Sequence, residues 1–145
     1  MTAFMELCGR LRIKATHQRR EIFREVARTD EHPDAETLYG RVRGRIPTLS
    51  RDTVYRTLAL LEEKGLLSRL ELFSGRTRFD ARTGPHHHFI CTRCGLVRDF
   101  TSGRMDGLRA PKALRSWGHV RSAHVQLRGV CRACQAKAAP QRSRR

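Results

Sequence analysis

Two Cys-x-x-Cys motifs that lie far apart in the chain are the strongest constraint on its fold. Cys91 and Cys94 form the first motif, with Gly95 directly after it, and Cys131 and Cys134 form the second. Four soft thiolates suit tetrahedral Zn²⁺, and a complete shell of four cysteines leaves no open position for a substrate. The long spacing between the motifs therefore predicts a structural zinc that staples a strand and a helix together at their ends.

A thiol redox motif is the alternative interpretation of a Cys-x-x-Cys pair, but neither pair lies in a thioredoxin-like βαβ pattern. The fifth cysteine, Cys8, lies in an amphipathic N-terminal segment and is predicted to be a buried small apolar residue. That segment lacks the apolar stretch of a signal peptide, and no run of residues approaches a membrane span. The chain is therefore predicted to be cytoplasmic and to have no membrane partner.

A second set of potential ligands precedes the first cysteine motif. In an extended strand, His86 and His88 point to one face and His87 points to the other. Asp80 and Asp99 are placed to add carboxylate oxygens. A site of nitrogen and oxygen donors binds Fe(II) or Mn(II) reversibly, whereas a thiolate shell retains zinc. The alternative is a surface histidine cluster with only adventitious affinity for zinc or nickel.

The charge of the chain indicates the class of partner. The formal net charge is +16, and residues 85–145 carry +11 of it, from 13 basic and 2 acidic residues. So basic a chain attracts polyanions, which makes nucleic acid the predicted partner. The alternative is a solvated arginine-rich surface with a basic tail.

The N-terminal half predicts three amphipathic helices, over residues 18–27, 34–42 and 51–64. Ser50 is the expected N-cap of the third helix, and Gly65 ends it. A hairpin with a basic edge follows, with its turn at Ser74 and Gly75. Three helices and a basic hairpin are typical of a winged helix-turn-helix. The polar face of the third helix carries Arg51, Tyr55 and Arg56.

The C-terminal half predicts an α/β unit, with strands over residues 86–91, 96–100 and 124–130 and a helical piece over residues 112–117. The fold class is therefore α+β. Its predicted segments are residues 1–82, a linker at residues 83–84, residues 85–136, and a basic disordered tail at residues 137–145.

Five motifs together resemble the ferric uptake regulator (Fur) family: EHPDAETLY at 31–39, SRDTVYRTLALLEEKGLL at 50–67, TRFD at 77–80, HHHFICTRCG at 86–95 and GVCRAC at 129–134. The similarity extends over roughly residues 5 to 135. It implies a homodimeric, metal-dependent transcriptional repressor that binds palindromic double-stranded operator DNA and is not an enzyme. The N-terminal winged helix would bind DNA, and the C-terminal α/β domain would dimerise and hold zinc through its four cysteines.

The resemblance also implies a regulatory Fe(II) or Mn(II) site, formed by His32, Asp80, His86, His88 and Asp99. Aspartate at position 99 resembles the peroxide-responsive PerR branch, since iron sensors tend to have glutamate there. In that branch, bound Fe(II) reacts with hydrogen peroxide and oxidises a ligand histidine, here His32 or His86, which releases metal and DNA. Mn(II) would support DNA binding but resist peroxide.

The DNA contacts implied by the resemblance fall on the third helix and on an earlier one, at Arg51, Thr53, Tyr55, Arg56 and Arg19. Arg76, in the predicted wing, is placed to contact phosphates. In the C-terminal half, Gly107 and Pro111 predict that the dimerisation helix of the family is short or kinked here. A second regulatory site that uses His87, His119 or His124 is left open.

Four alternatives compete with a peroxide sensor. The first is an iron- or manganese-responsive repressor of the same family, and the second is a zinc-uptake regulator, which Asp80 disfavours because such sensors often have cysteine there. An iron-dependent oxygenase or a metallohydrolase would need a substrate pocket and a spare general base, and the sequence suggests neither. A zinc-ribbon RNA-binding module would need more aromatic residues for stacking.

Overall fold

The computed structural model describes residues 2–72, 75–120 and 123–138. The chain forms two compact units, Met1–Thr83 and Gly84–Arg145. The first unit consists of helices and a hairpin, and the second is built on a small sheet. In the described part of the chain, every helix is too short or too polar to cross a membrane.

The first unit contains four helices: α1 (Thr2–Arg10), α2 (His17–Ala27), α3 (Ala35–Arg43) and α4 (Arg51–Glu63). Side-chain oxygens of Thr16, Asp34 and Ser50 accept main-chain N–H groups three residues further on, and so cap α2, α3 and α4. Caps of this kind stabilise a helix by about 1 kcal/mol each. The predicted helices are found within a residue of these bounds, and α3 starts one residue late because Asp34 is its cap.

The apolar faces of all four helices form the core of the first unit. Its fully buried members include Ile22, Leu38, Val54 and Leu58. The N-terminal helix joins this core through Phe4, whose ring stacks on that of Phe23 at a centroid distance of 4.3 Å, and through Cys8, which is 1% exposed. The prediction that Cys8 is a buried small apolar residue is confirmed.

The hairpin pairs β1 (Ser68–Glu71) with β2 (Thr77–Asp80) in antiparallel register. The main-chain N–H of Phe79 donates to the carbonyl of Pro33 at 3.1 Å, which joins the hairpin to the start of α3. Gly75 has φ +70°, a conformation that favours glycine in a turn. Ser74, the other residue of the predicted turn, lies outside the described residues. Helices and hairpin together form the predicted winged helix.

The second unit is a three-stranded sheet of order β4-β3-β5, formed by β3 (His87–Cys91), β4 (Val97–Phe100) and β5 (Gln126–Gly129). Strand β3 pairs antiparallel with β4 and parallel with β5. The outer segments are α5 (Gly103–Asp106), a 3-10 helix (Lys112–Ser116) and α6 (Arg132–Ala138).

Several predictions for this unit need correction. The strands are shorter than expected, since His86 and His124 precede the paired segments of β3 and β5. The helical piece at 112 is a 3-10 helix, started by Pro111. Helix α5 ends before Gly107 and is as short as predicted. The α6 helix includes Lys137 and Ala138, which were assigned to the tail, and residues 139–145 lie outside the described residues.

A buried carboxylate links α2 to the loop after α3. The side chain of Glu21 is 8% exposed, and its two oxygens accept hydrogen bonds from Arg24 at 2.9 Å and from Arg45 at 3.0 Å. Arg45 also donates to Glu25 at 2.6 Å. Burial raises the pKa of Glu21, but the hydrogen bonds from the two arginines outweigh it, so the pKa lies below its ordinary value. The cluster therefore stabilises the folded unit when Glu21 is ionised.

Replacement of Glu21 by glutamine is expected to lower the free energy of unfolding at neutral pH by about 1–2 kcal/mol, because hydrogen bonds to a charged acceptor are lost. Since its pKa is lower in the folded state, the stabilisation is present above the unfolded pKa of about 4.3 and is lost as the pH falls through the folded value. Urea unfolding followed by circular dichroism at neutral and acidic pH measures both effects.

The matched control is Glu63→Gln, since Glu63 pairs with Lys64 at 2.9 Å but is 67% exposed. It is expected to change the free energy of unfolding by less than about 0.5 kcal/mol. An equal loss in both variants would contradict a special role for the buried carboxylate.

Candidate metal sites and nucleic-acid interface

The parallel pairing of β3 with β5 brings the two cysteine motifs to the same end of the sheet. Cys91 is the last residue of β3, opposite Gly129 of β5, and Thr92 N–H donates to the carbonyl of Gly129 at 2.8 Å. The second motif follows at the start of α6, with Cys131 directly before the helix and Cys134 in its first turn. The four sulfur atoms of Cys91, Cys94, Cys131 and Cys134 lie within 4.8 Å of one another. This arrangement fits a zinc site and joins the end of a strand to a helix, as the spacing predicted.

Main-chain groups favour the thiolate form at this cluster. The N–H of Cys131 points at the sulfur of Cys91 at 3.3 Å, and hydrogen bonds from the backbone of Cys131 and Cys94 lower the pKa of Cys91 to about 6. The neighbouring sulfurs of Cys131 and Cys94 instead raise the pKa of Cys134. Four clustered thiolates repel one another, and a divalent cation among them would relieve that repulsion. The donor set therefore fits Zn²⁺.

Within the second unit, three predicted ligands of the regulatory metal converge. The Nε2 atoms of His86 and His88 lie 3.0 Å apart, and Oδ1 of Asp99 lies 4.0 Å from the first and 3.4 Å from the second. The antiparallel register of β3 and β4 sets His88 opposite Asp99. Both histidines are buried, with 8% and 6% exposure. The predicted alternation along the strand is thus found.

A local hydrogen bond sets the tautomer of His86. Its Nδ1 donates to the carbonyl oxygen of Gly84 at 2.7 Å, because a carbonyl can only accept. In a neutral imidazole the proton is then on Nδ1, and Nε2 keeps the lone pair that binds a metal. The ring is therefore ready to act as a nitrogen ligand.

Within the first unit, His32 and Asp80 form the other predicted group. Nε2 of His32 lies 3.6 Å from Oδ2 of Asp80, and Nδ1 donates to the carbonyl of Asp30 at 3.0 Å. Oδ1 of Asp80 accepts the N–H of Arg82 at 2.7 Å. His32 is 2% exposed and has φ +51°, which is uncommon outside glycine. Sequence patterns alone missed this histidine, and only the family resemblance pointed to it.

His87 faces away from the other two histidines of its run. Its Nε2 donates to Oδ1 of Asp106 at 2.9 Å, and its Nδ1 accepts the N–H of Val125 at 3.0 Å. Both ring nitrogens are thus used within the second unit. Of the other candidates, His124 has its ring centroid 6.5 Å from that of His88, and His119 is exposed.

The residues predicted to bind DNA lie on the surface of the first unit. One surface groove is lined by three of them, Arg19, Thr53 and Arg56, and a second groove is lined by two more, Tyr55 and Arg76. The side chains of Arg51 and Arg56 are 60% and 80% exposed at the start of α4. The N-terminal part of α4 thus exposes an aromatic ring and two arginines, which pair with the carboxylates of Glu36 and Asp52.

The model of the ferric uptake regulator family matches residues 10–128. The chain belongs to this family. It is 31% identical to the peroxide operon regulator of Bacillus subtilis (strain 168) over 125 residues, which is 86% of each protein. A solved zinc-bound manganese uptake regulator is 31% identical, covers 88% of this chain and 97% of its own, and has a TM-score of 0.68. The Helicobacter pylori ferric uptake regulator, at 23% identity and 92% and 90% coverage, has a TM-score of 0.74 and shows the same fold.

These findings confirm the predicted family and the α+β fold with its four-cysteine cluster. Family membership makes the chain a metal-responsive regulator of the Fur type and supports the prediction that it is not an enzyme. Peroxide-responsive repressors are among its relatives, as the resemblance implied.

The variant Cys131→Ser is expected to lose the zinc that we expect in the unaltered protein, about one ion per chain, because a structural site needs all four ligands. The end of the sheet should then separate, with a lower melting temperature of the second unit. Metal analysis by mass spectrometry and circular dichroism measure the two effects. The control is Cys8→Ala, which should keep its zinc, and a Cys131→Ser protein with unchanged zinc would contradict the site.

Proposed function

We propose that the chain is a metal-dependent DNA-binding repressor that senses hydrogen peroxide through Fe(II)-dependent oxidation of a ligand histidine. The observation that carries this proposal is the pair of imidazoles, His32 and His86, whose Nδ1 atoms donate to main-chain carbonyls and whose Nε2 atoms lie beside aspartate oxygens. Nitrogen and carboxylate oxygen donors suit Fe(II) and Mn(II). We expect the protein to act in the cytoplasm.

The proposed regulatory metal would be held by the ligand set that the family resemblance implies, His32, Asp80, His86, His88 and Asp99. A metal that strengthens DNA binding would itself, by linkage, be bound more tightly in the presence of operator DNA, by the same factor. The four-cysteine zinc has no such role, because a closed thiolate shell does not exchange readily with the cell.

The proposed DNA contacts use the N-terminal part of α4. Tyr55 would contact base edges or a thymine methyl, and Arg51 and Arg56 would contact bases or phosphates. Phosphate contacts would come from the flanking residues Arg19, Thr53 and Arg76. The net charge of +16 supports a large counterion-release contribution and therefore steep salt dependence.

The proposed assembly is a homodimer on a palindromic operator. The second unit exposes large apolar side chains, which a second copy of the chain would cover: Leu108, Trp117, Val120 and Leu127, between 42% and 83% exposed. Apolar patches of this kind are typical of association surfaces. Two-fold symmetry of the protein would match two-fold symmetry of the DNA.

In the proposed peroxide response, the histidines that bind the metal are also the residues that are oxidised. Bound Fe(II) would supply the redox chemistry that cleaves the O–O bond of hydrogen peroxide next to the rings. One oxygen atom would be inserted into a carbon–hydrogen bond of His32 or His86, and the other would leave as water. The modified ring is a poorer ligand, so the regulatory site loses affinity for its metal and the repressor leaves its operator.

The second candidate function is a manganese- or iron-responsive repressor without peroxide sensing. The similarity to the manganese uptake regulator, at 31% identity, favours it. The two candidates share the DNA-binding surface and the metal ligands. They differ in whether a histidine is oxidised when Fe(II) and peroxide are both present.

Peptide mass spectrometry separates the two candidates. Protein loaded without oxygen with Fe(II), then exposed to a low dose of hydrogen peroxide, is expected to gain one oxygen atom on the peptide that contains His32 or His86. Protein loaded with Mn(II) is expected to remain unmodified. Intact histidines with iron still bound would contradict peroxide sensing and favour the reversible metal sensor. Oxidation confined to the four clustered cysteines would identify that site as the redox switch.

Metal-dependent DNA binding is tested by His88→Ala. This variant should bind Mn(II) at least about a hundredfold more weakly, because a ligand in direct contact with the ion is removed, and should lose metal-dependent DNA binding. Its zinc content should be unchanged. The control is His119→Ala, an exposed histidine outside the proposed ligand set. Equal Mn(II) affinity in the two variants would contradict the proposed site.

A further inference from the structure

One carboxylate in the first unit is bonded to two of the residues that are proposed to read DNA. Oε2 of Glu36 accepts a hydrogen bond from Nε of Arg51 at 3.0 Å, and Oε1 accepts the hydroxyl of Tyr55 at 3.3 Å. Arg51 and Tyr55 are four residues apart on α4, so they lie on the same face of the helix. Glu36 lies on α3, so its carboxylate joins α3 to that face of α4.

Arg51 is held by α3 in a second way. Its guanidinium lies over the ring of Tyr39, 4.4 Å from the ring centroid, which is within the range of a cation–π contact. Glu36 and Tyr39 therefore hold the long arginine side chain from two directions, although 60% of that side chain is exposed. An arginine that is already ordered loses less conformational entropy when it binds a base.

Glu36 does not occupy the groups of Arg51 and Tyr55 that are proposed to contact bases. Arg51 donates through Nε, so the contact does not use its two terminal amino groups, which suit the acceptors on guanine. Tyr55 donates its hydroxyl proton, while its ring, with the residue 51% exposed, can pack on a thymine methyl. Glu36 thus orients the two side chains without covering them.

The charge of Glu36 has a second consequence. A chain with a net charge of +16 binds any duplex through its phosphates. Glu36 is half-exposed and lines the groove that also contains Tyr55 and Arg76. By holding Arg51, Glu36 keeps this guanidinium from turning to a phosphate, which is a contact that a duplex of any sequence offers. It therefore weakens binding to unrelated DNA, whereas a sequence whose bases Arg51 and Tyr55 contact in the held position keeps its affinity. Discrimination can be gained by weakening the wrong complexes in this way as well as by favourable contacts in the right one.

We propose that Glu36 is a positioning and specificity-determining residue of the DNA-binding surface, which holds Arg51 and Tyr55 for base readout and weakens binding to unrelated DNA. This inference rests on the proposed DNA binding. Glu36 does not itself need to contact a base. It acts through the two side chains that it holds, and its effect should therefore disappear when they are absent.

The test starts from duplexes that the Mn(II)-loaded protein selects from a random-sequence pool. Fluorescence anisotropy then gives the Kd for the selected duplex and for a scrambled duplex of the same composition. Their ratio measures discrimination. Glu36→Ala and Glu36→Gln are each expected to reduce this ratio by about tenfold, the range of a single base contact, with tighter binding to the scrambled duplex.

Glu63→Ala is the matched control. It removes the same charge and also an ion pair, with Lys64, but at the far end of α4. It should shift both Kd values together and leave their ratio unchanged within about twofold, as expected for a charge remote from the bases. A double variant, Arg51→Ala with Glu36→Ala, should discriminate no worse than Arg51→Ala alone.

Three results overturn the inference. The ratio for the Glu36 variants equals that of Glu63→Ala, or Glu36→Ala tightens both duplexes equally, or the loss persists undiminished in the Arg51→Ala background. In each of these cases the unaltered protein still selects a sequence with Mn(II), so the proposed repressor function stands. If the unaltered protein selects no sequence, the proposed function and this inference both fail, and the two kinds of failure are therefore distinguishable.

Discussion

The register of strand β3 is the constraint on which the second unit depends. A strand alternates its side chains, so a shift of one residue would exchange His87 with His88 and move Cys91 away from its partners. Two pairings hold this register, an antiparallel one with β4 and a parallel one with β5. The cysteine cluster at the end of β3 adds a third restraint. A zinc bound there would hold in place the strand that presents the histidines, although it takes no part in their chemistry.

The two histidines proposed as oxidation targets share one local arrangement. In each, Nδ1 donates to a main-chain carbonyl two residues earlier, at Asp30 for His32 and at Gly84 for His86. A contact between such near neighbours forms with the local chain and does not wait for a metal. Each imidazole is therefore oriented in advance, and less ordering remains to be done when an ion binds. The thiolates only a few residues further on are donors of a different chemical class, so one short segment could hold two different metals.

In the first unit, α3 supports α4 in two ways, through the shared core and through contacts with exposed side chains of α4. Its apolar side chains pack into the core beneath α4, while Glu36 and Tyr39 on the same helix contact exposed side chains of α4. A strongly basic surface gains affinity easily and selectivity with difficulty. An acidic residue that holds a basic one away from the phosphates gains selectivity, because it prevents a contact that a duplex of any sequence could offer.

Local rules in the sequence determined much of this protein. The cap at Ser50, the helical spacing of apolar residues and the alternation around His87 act over a few residues, and they placed the helices within a residue and the faces of the histidine strand correctly. Thiolate chemistry alone predicted that the four cysteines form a cluster, and their sulfur atoms do lie together. Family resemblance had to supply His32, because no pattern distinguishes it from a solvated residue before a helix. Only the tertiary structure decided that His32 is buried beside Asp80 and that Glu36 holds Arg51 and Tyr55. Such contacts join residues remote in sequence, so they depend on how the elements pack together and not on the preferences of any one segment.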